Sequence, residues 1–433
     1  MAAPQVVVLG AGFAGLHAVR RLARAGVQVL WVDRHNYHLF LPLLYQVATA
    51  GLEPQSIAYP VRRILHRWAG VDFRLAHVVA ADPAARTLVT AEGERIAWDW
   101  LIVAVGAAVE DFGIPGVREH ALHLYDLEDA RALRNHVVCT LERASVTDDP
   151  ERRAALCTFV VVGGGPTGVE TAGALAELRR HVVPRDYRGL GAAAVRIVLL
   201  EAARDLLAPF PPELRARALA DLRALGVEVR LGAPVARVGP SEVVLADGTR
   251  IATHTAIWAA GVRAAPVAAR LGLPTGGRSG RIRVLPTLAV PGHPHVFAAG
   301  DVALVEGAER LPQLAQVAIQ QGAHAAANVL RALRGEPLVP FAYRDKGTMA
   351  TIGRSRALAV LGRVQLAGRL AWWLWLAVHI VMLIGFRNRL VVLVDWAWSY
   401  LTYDRGARAI VGAVDGRGDA AVGRGRDAAD LSD

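Results

Sequence analysis

Cysteine is almost missing: Cys139 and Cys157 are the only two in 433 residues. Two cysteines make no disulfide framework, they form no C-x-x-C pair, and they are too few for a zinc site. Both read as small buried apolar side chains. Chemistry that passes electrons through a reactive thiol pair is therefore not expected. Lysine is scarcer still. Lys346 is the only one, so arginine carries nearly all of the formal charge of +10. Excess cation suits an anionic membrane, an anionic substrate or nucleic acid. The arginines are scattered and no basic run is interleaved with aromatics, so nucleic acid is not expected as a partner. The 14 histidines show no H-E-x-x-H or comparable spacing, and no metal is expected. No charged n-region or cleavage site precedes the first apolar run, so a secretory leader is not expected either.

Apolar residues, by contrast, are plentiful. They make up 53% of the chain, and the mean hydropathy is +0.31. Some apolar surface is expected to face something other than water. The length points to two or three domains.

The chain repeats itself. Val6-Val7-Val8-Leu9 leads into Gly10-Ala11-Gly12-Phe13-Ala14-Gly15, and Phe159-Val160-Val161-Val162 leads into Gly163-Gly164-Gly165-Pro166-Thr167-Gly168. Each is an apolar strand followed by G-x-G-x-x-G and then Ala-rich, helix-forming sequence. Further on, Leu88–Ile96 forms a hairpin-like pattern around Glu92-Gly93, followed by an apolar run to Ala104 and Gly106. Val243–Ile251 does the same around Asp247-Gly248, followed by a run to Ala260 and Gly261. Gly10 to Gly106 is 96 residues and Gly163 to Gly261 is 98, a shared layout that unrelated glycine loops would not have. The reading is a duplicated dinucleotide-binding fold. The first glycine makes the tight turn, the second lets backbone approach a pyrophosphate, and the third lets helix pack on strand. The helix N-terminus offers free N–H groups to the phosphates.

An acid at the end of the next strand takes ribose hydroxyls in such folds. Here the candidates are Asp33, with Arg34 beside it, and Glu201. Glu201 comes late because of an insert from Pro184 to Ala194 that reads as a loop. A carboxylate accepts hydrogen bonds from a 2′-hydroxyl and repels a 2′-phosphate, so NADH is favoured over NADPH; Arg204 softens that preference.

A third segment assigns the two halves. His295–Ala299 is an apolar strand ending in Gly300-Asp301, which resembles the second flavin motif of flavoproteins with two dinucleotide-binding domains. FAD is then expected in the N-terminal half plus the residues after about 265, with the NADH half inserted between. Beyond these motifs, four stretches carry a narrower resemblance: Leu39–Gln46, Ala315–Gln320 (A-Q-x-A-x-Q), Lys346–Ala350 with Ile352-Gly353-Arg354, and Gly385–Arg389. On them the chain resembles the type II, single-subunit, non-proton-pumping NADH:quinone oxidoreductases over all but about its last twenty residues.

That resemblance implies an enzyme that passes a hydride from NADH to non-covalent FAD and then two electrons to a membrane quinone. FAD contacts are expected from Gly10, Gly12, Phe13, Ala14, Gly15, Asp33, Arg34, Ala104, Gly106, Gly300 and Asp301. NADH contacts are expected from Gly163, Gly165, Pro166, Thr167, Gly168, Glu170, Glu201, Ala260 and Gly261. Gln316 and Gln320 share one helix face at i, i+4 spacing, on a helix for which Pro312 is a suitable start. With Lys346 they are the candidates for the quinone. Glu170, placed on the first turn of its helix, either complements the helix dipole or positions nicotinamide and relays a proton. A homodimer is also implied. The alternatives are a flavin-dependent reductase of a protein acceptor such as ferredoxin, and a non-catalytic NADH-responsive flavoprotein sensor.

From Leu370 to Phe386 the chain carries one polar side chain, His379. As a helix this stretch spans roughly 25 Å, short of a hydrocarbon core of roughly 30 Å. Trp372, Trp373 and Trp375 stand at one end and Arg387 and Arg389 at the other. A second segment, Leu390–Tyr403, carries Asp395, Trp396, Trp398 and Tyr400. A buried helix pair, a transmembrane hairpin and an interfacial anchor all fit. The aromatic and arginine density, and the resemblance, point to the anchor. The expected fold is α/β with two Rossmann-like domains, the second inserted in the first, plus a C-terminal helical membrane-binding element. Residues 1–120 and 265–345 form the FAD domain, 121–264 the NADH domain, and 366–410 within 346–413 meet the bilayer surface. Residues 414–433 read as a disordered tail. A peripheral place on the cytoplasmic face of the cell membrane is expected.

Overall fold

The computed structural model describes residues 4–66, 68–309, 311–402 and 408–410; Tyr403 and the tail expected at 414–433 lie outside the described residues. The chain folds as two compact units, 1–39, 58–110 and 262–346 in one, 40–57, 111–261 and 347–433 in the other.

The first unit is organised by a six-stranded sheet. Its order is Ala289–Val290, His293–Ala298, Trp100–Val103, Val6–Leu9, Val29–Asp33 and Val71–Leu75. The five strands from His293–Ala298 onward pair in parallel. Strands sandwiched on both faces need apolar residues throughout rather than alternation. Val6, Val7 and Val8 meet that need with no exposed surface, each contributing roughly 1.5–3 kcal/mol over the exposed state. Helix Phe13–Arg24 buries Phe13, Ala14, Leu16, Ala18, Val19 and Leu22, and packs on helix Ala315–Leu333. Gly322 makes that contact close: a Cβ there would lie 2.0 Å from the Ala14 carbonyl oxygen.

The second unit repeats the plan with a five-stranded parallel sheet, ordered Ala121–His123, Thr255–Trp258, Thr158–Val162, Arg196–Glu201 and Glu228–Leu231. Both hairpins read from the sequence are present, Thr87–Thr90 with Arg95–Ala97 and Glu242–Leu245 with Arg250–Ala252. The insert before Glu201 is not wholly loop, because Val183–Asp186 and Ala192–Ala194 form single helical turns.

The described residues after 346 group with this second unit. Strands Thr348–Thr351, Ala357–Leu361 and Val364–Gly368 form an antiparallel sheet on which helix Arg369–Met382 packs. A second helix runs Phe386–Thr402. The apolar stretch from Leu370 is thus interrupted after Met382, and among the described residues no helix is long and apolar enough to cross a membrane. A fully buried pair is not seen either. Trp372 and Trp375 are buried, whereas Leu370, Trp373, Val381, Phe386, Leu390, Val394 and Trp398 are exposed.

Candidate functional site

The two glycine loops match atom for atom in what their glycines do. Gly10 and Gly163 both take φ +112°, and a Cβ on either would meet backbone oxygen, Ala104 at 2.2 Å and Ala259 at 2.5 Å. A Cβ on Gly15 or Gly168 would lie 1.8 Å from the carbonyl oxygen of Gly10 or Gly163. The middle glycines differ in kind. Gly12 and Gly165 cap their helices, have no side-chain cap, and a Cβ on either would meet no protein atom within 4 Å. Protein packing does not require glycine there. Close approach of something to the free N–H groups at the helix start does.

The strand-end acids match as well. One Asp33 oxygen accepts from Ala11 N at 2.5 Å and the other from His35 N at 2.6 Å. One Glu201 oxygen accepts from Gly164 N at 2.5 Å and the other from Ala203 N at 2.7 Å. Each carboxylate therefore ties its glycine loop to its own turn and keeps lone pairs for further donors, such as ribose hydroxyls. Burial pushes the Asp33 carboxyl upward against the pull of these N–H bonds. Arg34, Thr167 and Arg204 are exposed, while Ala104 is buried and Gly106, Ala260 and Gly261 are half-buried at the strand ends. Pro166 takes the first helical position.

Gly300 stands at φ +81°, its missing side chain leaving room for Ala14, whose Cβ would lie 3.0 Å away. Its N–H donates to Gln321 Oε1 at 2.8 Å. Gln321, fully buried, went unread in the sequence beside the more conspicuous Gln316 and Gln320. Asp301 follows; burial pushes its carboxyl up to about 6, against the opposing charge of Arg281. His38 also went unread. Its Nδ1 hydrogen-bonds Ala11 O at 2.8 Å, its ring meets Phe13 edge-on, and burial lowers it to about 4, so it stays neutral. A lone histidine in Tyr37-His38-Leu39-Phe40 gives no signal of this role. The residues fit FAD: a helix start open to phosphate, a ribose acid, and a second acid at the Gly-Asp turn.

Helix Ala315–Leu333 begins three residues after Pro312, which lies outside it. Gln316 and Gln320 share a face as expected, both half-buried. The Gln320 amide, however, is engaged with the backbone of Arg344, accepting from its N at 3.0 Å and donating to its O at 2.9 Å. It thereby fixes the segment that carries Lys346.

Glu170 is the fifth residue of its helix, which starts at Pro166, and no acid stands in the first turn. That weakens the dipole reading, since the effect fades within one turn. Its surroundings are specific. Glu170, Gly173, Glu177 and His181 lie on one helix face. Along it, Glu170 Oε1 accepts from Thr351 N at 3.2 Å, a Cβ on Gly173 would lie 2.7 Å from Gly353 N, and Glu177 Oε1 accepts from Arg354 N at 3.2 Å. The seam packs the Ile352-Gly353-Arg354 stretch onto the nucleotide-loop helix. Glu170 keeps some accessible surface, yet enough protein surrounds its carboxyl that burial pushes it up to about 8, with Thr351 hydrogen bonds opposing. It is protonated at neutral pH. The thiols play no comparable part: Cys139 and Cys157 are both free, and burial raises both.

Two glycine-loop sheets with paired strand-end acids define a pyridine-nucleotide oxidoreductase, and residues 4–322 match the family model "Pyridine nucleotide-disulphide oxidoreductase". Residues 346–403 match the "NDH2 C-terminal domain". The chain is 40% identical to the Type II NADH:quinone oxidoreductase Ndh of Mycobacterium tuberculosis, over 94% of this chain and 90% of that one. It is 31% identical to the Type II NADH:quinone oxidoreductase of Staphylococcus aureus, over 85% and 92%. Its fold is similar to the solved structure of NDH2 from Plasmodium falciparum in complex with NADH, with a TM-score of 0.85 at 19% identity, covering 94% of this chain and all of that one. The chain belongs to the type II NADH:quinone oxidoreductase family.

Proposed function

We propose that this protein oxidises NADH and reduces a membrane quinone through non-covalently bound FAD, without moving protons across the membrane. The observation that carries the reading is the duplicated loop. Two helix starts, each freed of side chains by Gly12 or Gly165 and each backed by an acid, can hold two dinucleotides in one chain. Gly10 to Gly15, Asp33, Gly300 and Asp301 would hold FAD. Gly163 to Gly168 and Glu201 would hold NADH. Bound FAD supplies a carrier that takes two electrons from nicotinamide and returns them to quinone. Glu170, neutral at pH 7, holds a proton that quinone reduction requires. Lys346 carries the positive charge, and Gln316 the amide, that suit a quinone carbonyl becoming a hydroxyl. Gln320 holds the Lys346 segment in place.

The exposed row on the two C-terminal helices supports an interfacial anchor, and the cytoplasmic face belongs to the same reading on family resemblance. The row's tryptophans and flanking Arg387 and Arg389 have the chemistry of the headgroup layer. Pairing of two copies belongs to the same reading, on family resemblance. The test is anaerobic: NADH is added to the purified protein, the flavin is followed by absorbance, and acceptors are offered one at a time. A short-chain quinone is expected to restore oxidised flavin within the mixing time of a turnover assay. Restoration by a ferredoxin and not by quinone would point to a protein-acceptor reductase, and no flavin reduction at all would count against the activity.

A further inference from the structure

Reducing a quinone with NADH follows NADH + quinone + H⁺ → NAD⁺ + quinol, so one proton per turnover must come from the medium. A chain of side chains in the second unit leads to Glu170. Trp396 Nε1 lies 2.8 Å from Gln46 Oε1, Gln46 Nε2 lies 3.0 Å from the Tyr45 hydroxyl, and that hydroxyl lies 3.0 Å from Thr351 Oγ1. The Thr351 side chain in turn hydrogen-bonds the Glu170 carboxyl.

The direction of these bonds is set from both ends. An indole N–H can only donate. Gln46 must therefore turn its carbonyl to Trp396 and its NH₂ to Tyr45. At the other end the Glu170 carboxylate can only accept, so Thr351 donates to it and its oxygen accepts from Tyr45, whose hydroxyl also accepts the Gln46 N–H. Every donor points toward the carboxyl. Tyr45, Gln46 and Thr351 also line a cavity of about 100 Å³ walled by Trp375 and Trp396, large enough for a few waters.

We infer that Tyr45 and Thr351 form a hydroxyl relay that resupplies the proton of Glu170 from this tryptophan-walled cavity, with Trp396 and Gln46 setting its direction. The inference rests on the proposed role of Glu170 as the proton store. In one cycle the Glu170 carboxylate takes the proton of Thr351, Thr351 takes that of Tyr45, and Tyr45 takes one from cavity water, whose hydroxide is returned to water by a proton from the medium. No bond to carbon changes and no electron moves. The amide and the indole orient the hydroxyls and carry no proton. The ionisable groups around the seam are Glu177 and His181 on the same helix, Arg354 and Arg356 beyond the strand, and the Glu53–Arg134 pair near the Tyr45 helix. None of them is among the causes of the Glu170 shift.

The test uses the full-length, FAD-loaded protein and the variants Thr351→Val, Thr351→Ser and Tyr45→Phe. Stopped-flow reduction of flavin by NADH without acceptor is expected to match wild type in all three. With a short-chain quinone at pH 8.5, where the medium offers few protons to return to Glu170, kcat is expected to fall about tenfold in Thr351→Val and Tyr45→Phe, with a larger solvent deuterium isotope effect. Thr351→Ser, which keeps the hydroxyl, is expected to recover most of the rate. Wild-type kcat and isotope effect in both deletion variants would overturn the relay, and so would equal losses in Thr351→Val and Thr351→Ser. A wild-type protein that reduces its flavin but never passes electrons to quinone would instead overturn the proposed function.

Discussion

At the scale of single residues, glycine serves two separate needs within each loop, and the structure tells them apart. Gly168 is glycine because a side chain would run into Gly163. Gly165 is glycine although nothing in the protein crowds it. Gly168→Ala is therefore expected to lower the unfolding free energy by about 1–3 kcal/mol, measured by denaturant titration. Gly165→Ala is expected to leave that titration unchanged and to raise KM for NADH roughly tenfold, the equivalent of ~1.4 kcal/mol. A stability loss at Gly165 equal to that at Gly168 would remove the distinction. The places of the glycines, Asp33, Glu201 and Gly300-Asp301 at helix starts and strand ends were legible because they follow from local spacing. Gln321 and His38 were not, since each acts on a backbone group far along the chain, Gly300 N and Ala11 O. Nor did the spacing of Gln316 and Gln320 show that Gln320 would be engaged with Arg344.

At the scale of elements, the C-terminal helices show where hydropathy alone stops. Seventeen nearly unbroken apolar residues read as one helix, but the chain turns after Met382 because Gly385 takes φ +88° and Asn388 reaches back to the carbonyls of Gln55 and Ser56 at 3.2 Å. The result is two short helices with different duties on opposite faces. Trp375 is buried and stacks on His379 at 4.0 Å, while Leu370 and Phe386 are 72% and 81% exposed. Removing everything beyond residue 365 would cut strand Val364–Gly368 itself and strip the helix cover from Ala357–Leu361, so it tests folding rather than anchoring. Substituting the exposed row separates the two. Leu370→Glu with Phe386→Glu is expected to keep the flavin and the melting temperature while moving at least ten times more protein into the supernatant after sedimentation with anionic vesicles. Unchanged co-sedimentation would show that this face is not the anchor.

At the scale of the whole molecule, the duplication and the insertion of the second nucleotide fold were readable from two glycine motifs at matched spacing, whereas the strand orders came only with the structure. The meeting of distant stretches was not. Leu39–Gln46, Lys346–Arg354 and Gly385–Arg389 each read as separate signatures, yet residues of all three serve the second unit, where Tyr45 meets Thr351 across 306 positions of sequence. No periodicity reports a contact of that range, because period describes one element and its nearest neighbours. The arginine-borne charge of +10 suits the anionic surface that the proposed anchor would meet.

Electron transfer from NADH to quinone requires that one chain hold two dinucleotides, one of them resident. Titration of the purified protein with NADH under argon, followed by visible absorbance, tests this directly. About one flavin per chain, bleached by about one equivalent of NADH, is the predicted result. A colourless protein that takes up no FAD on incubation would contradict it.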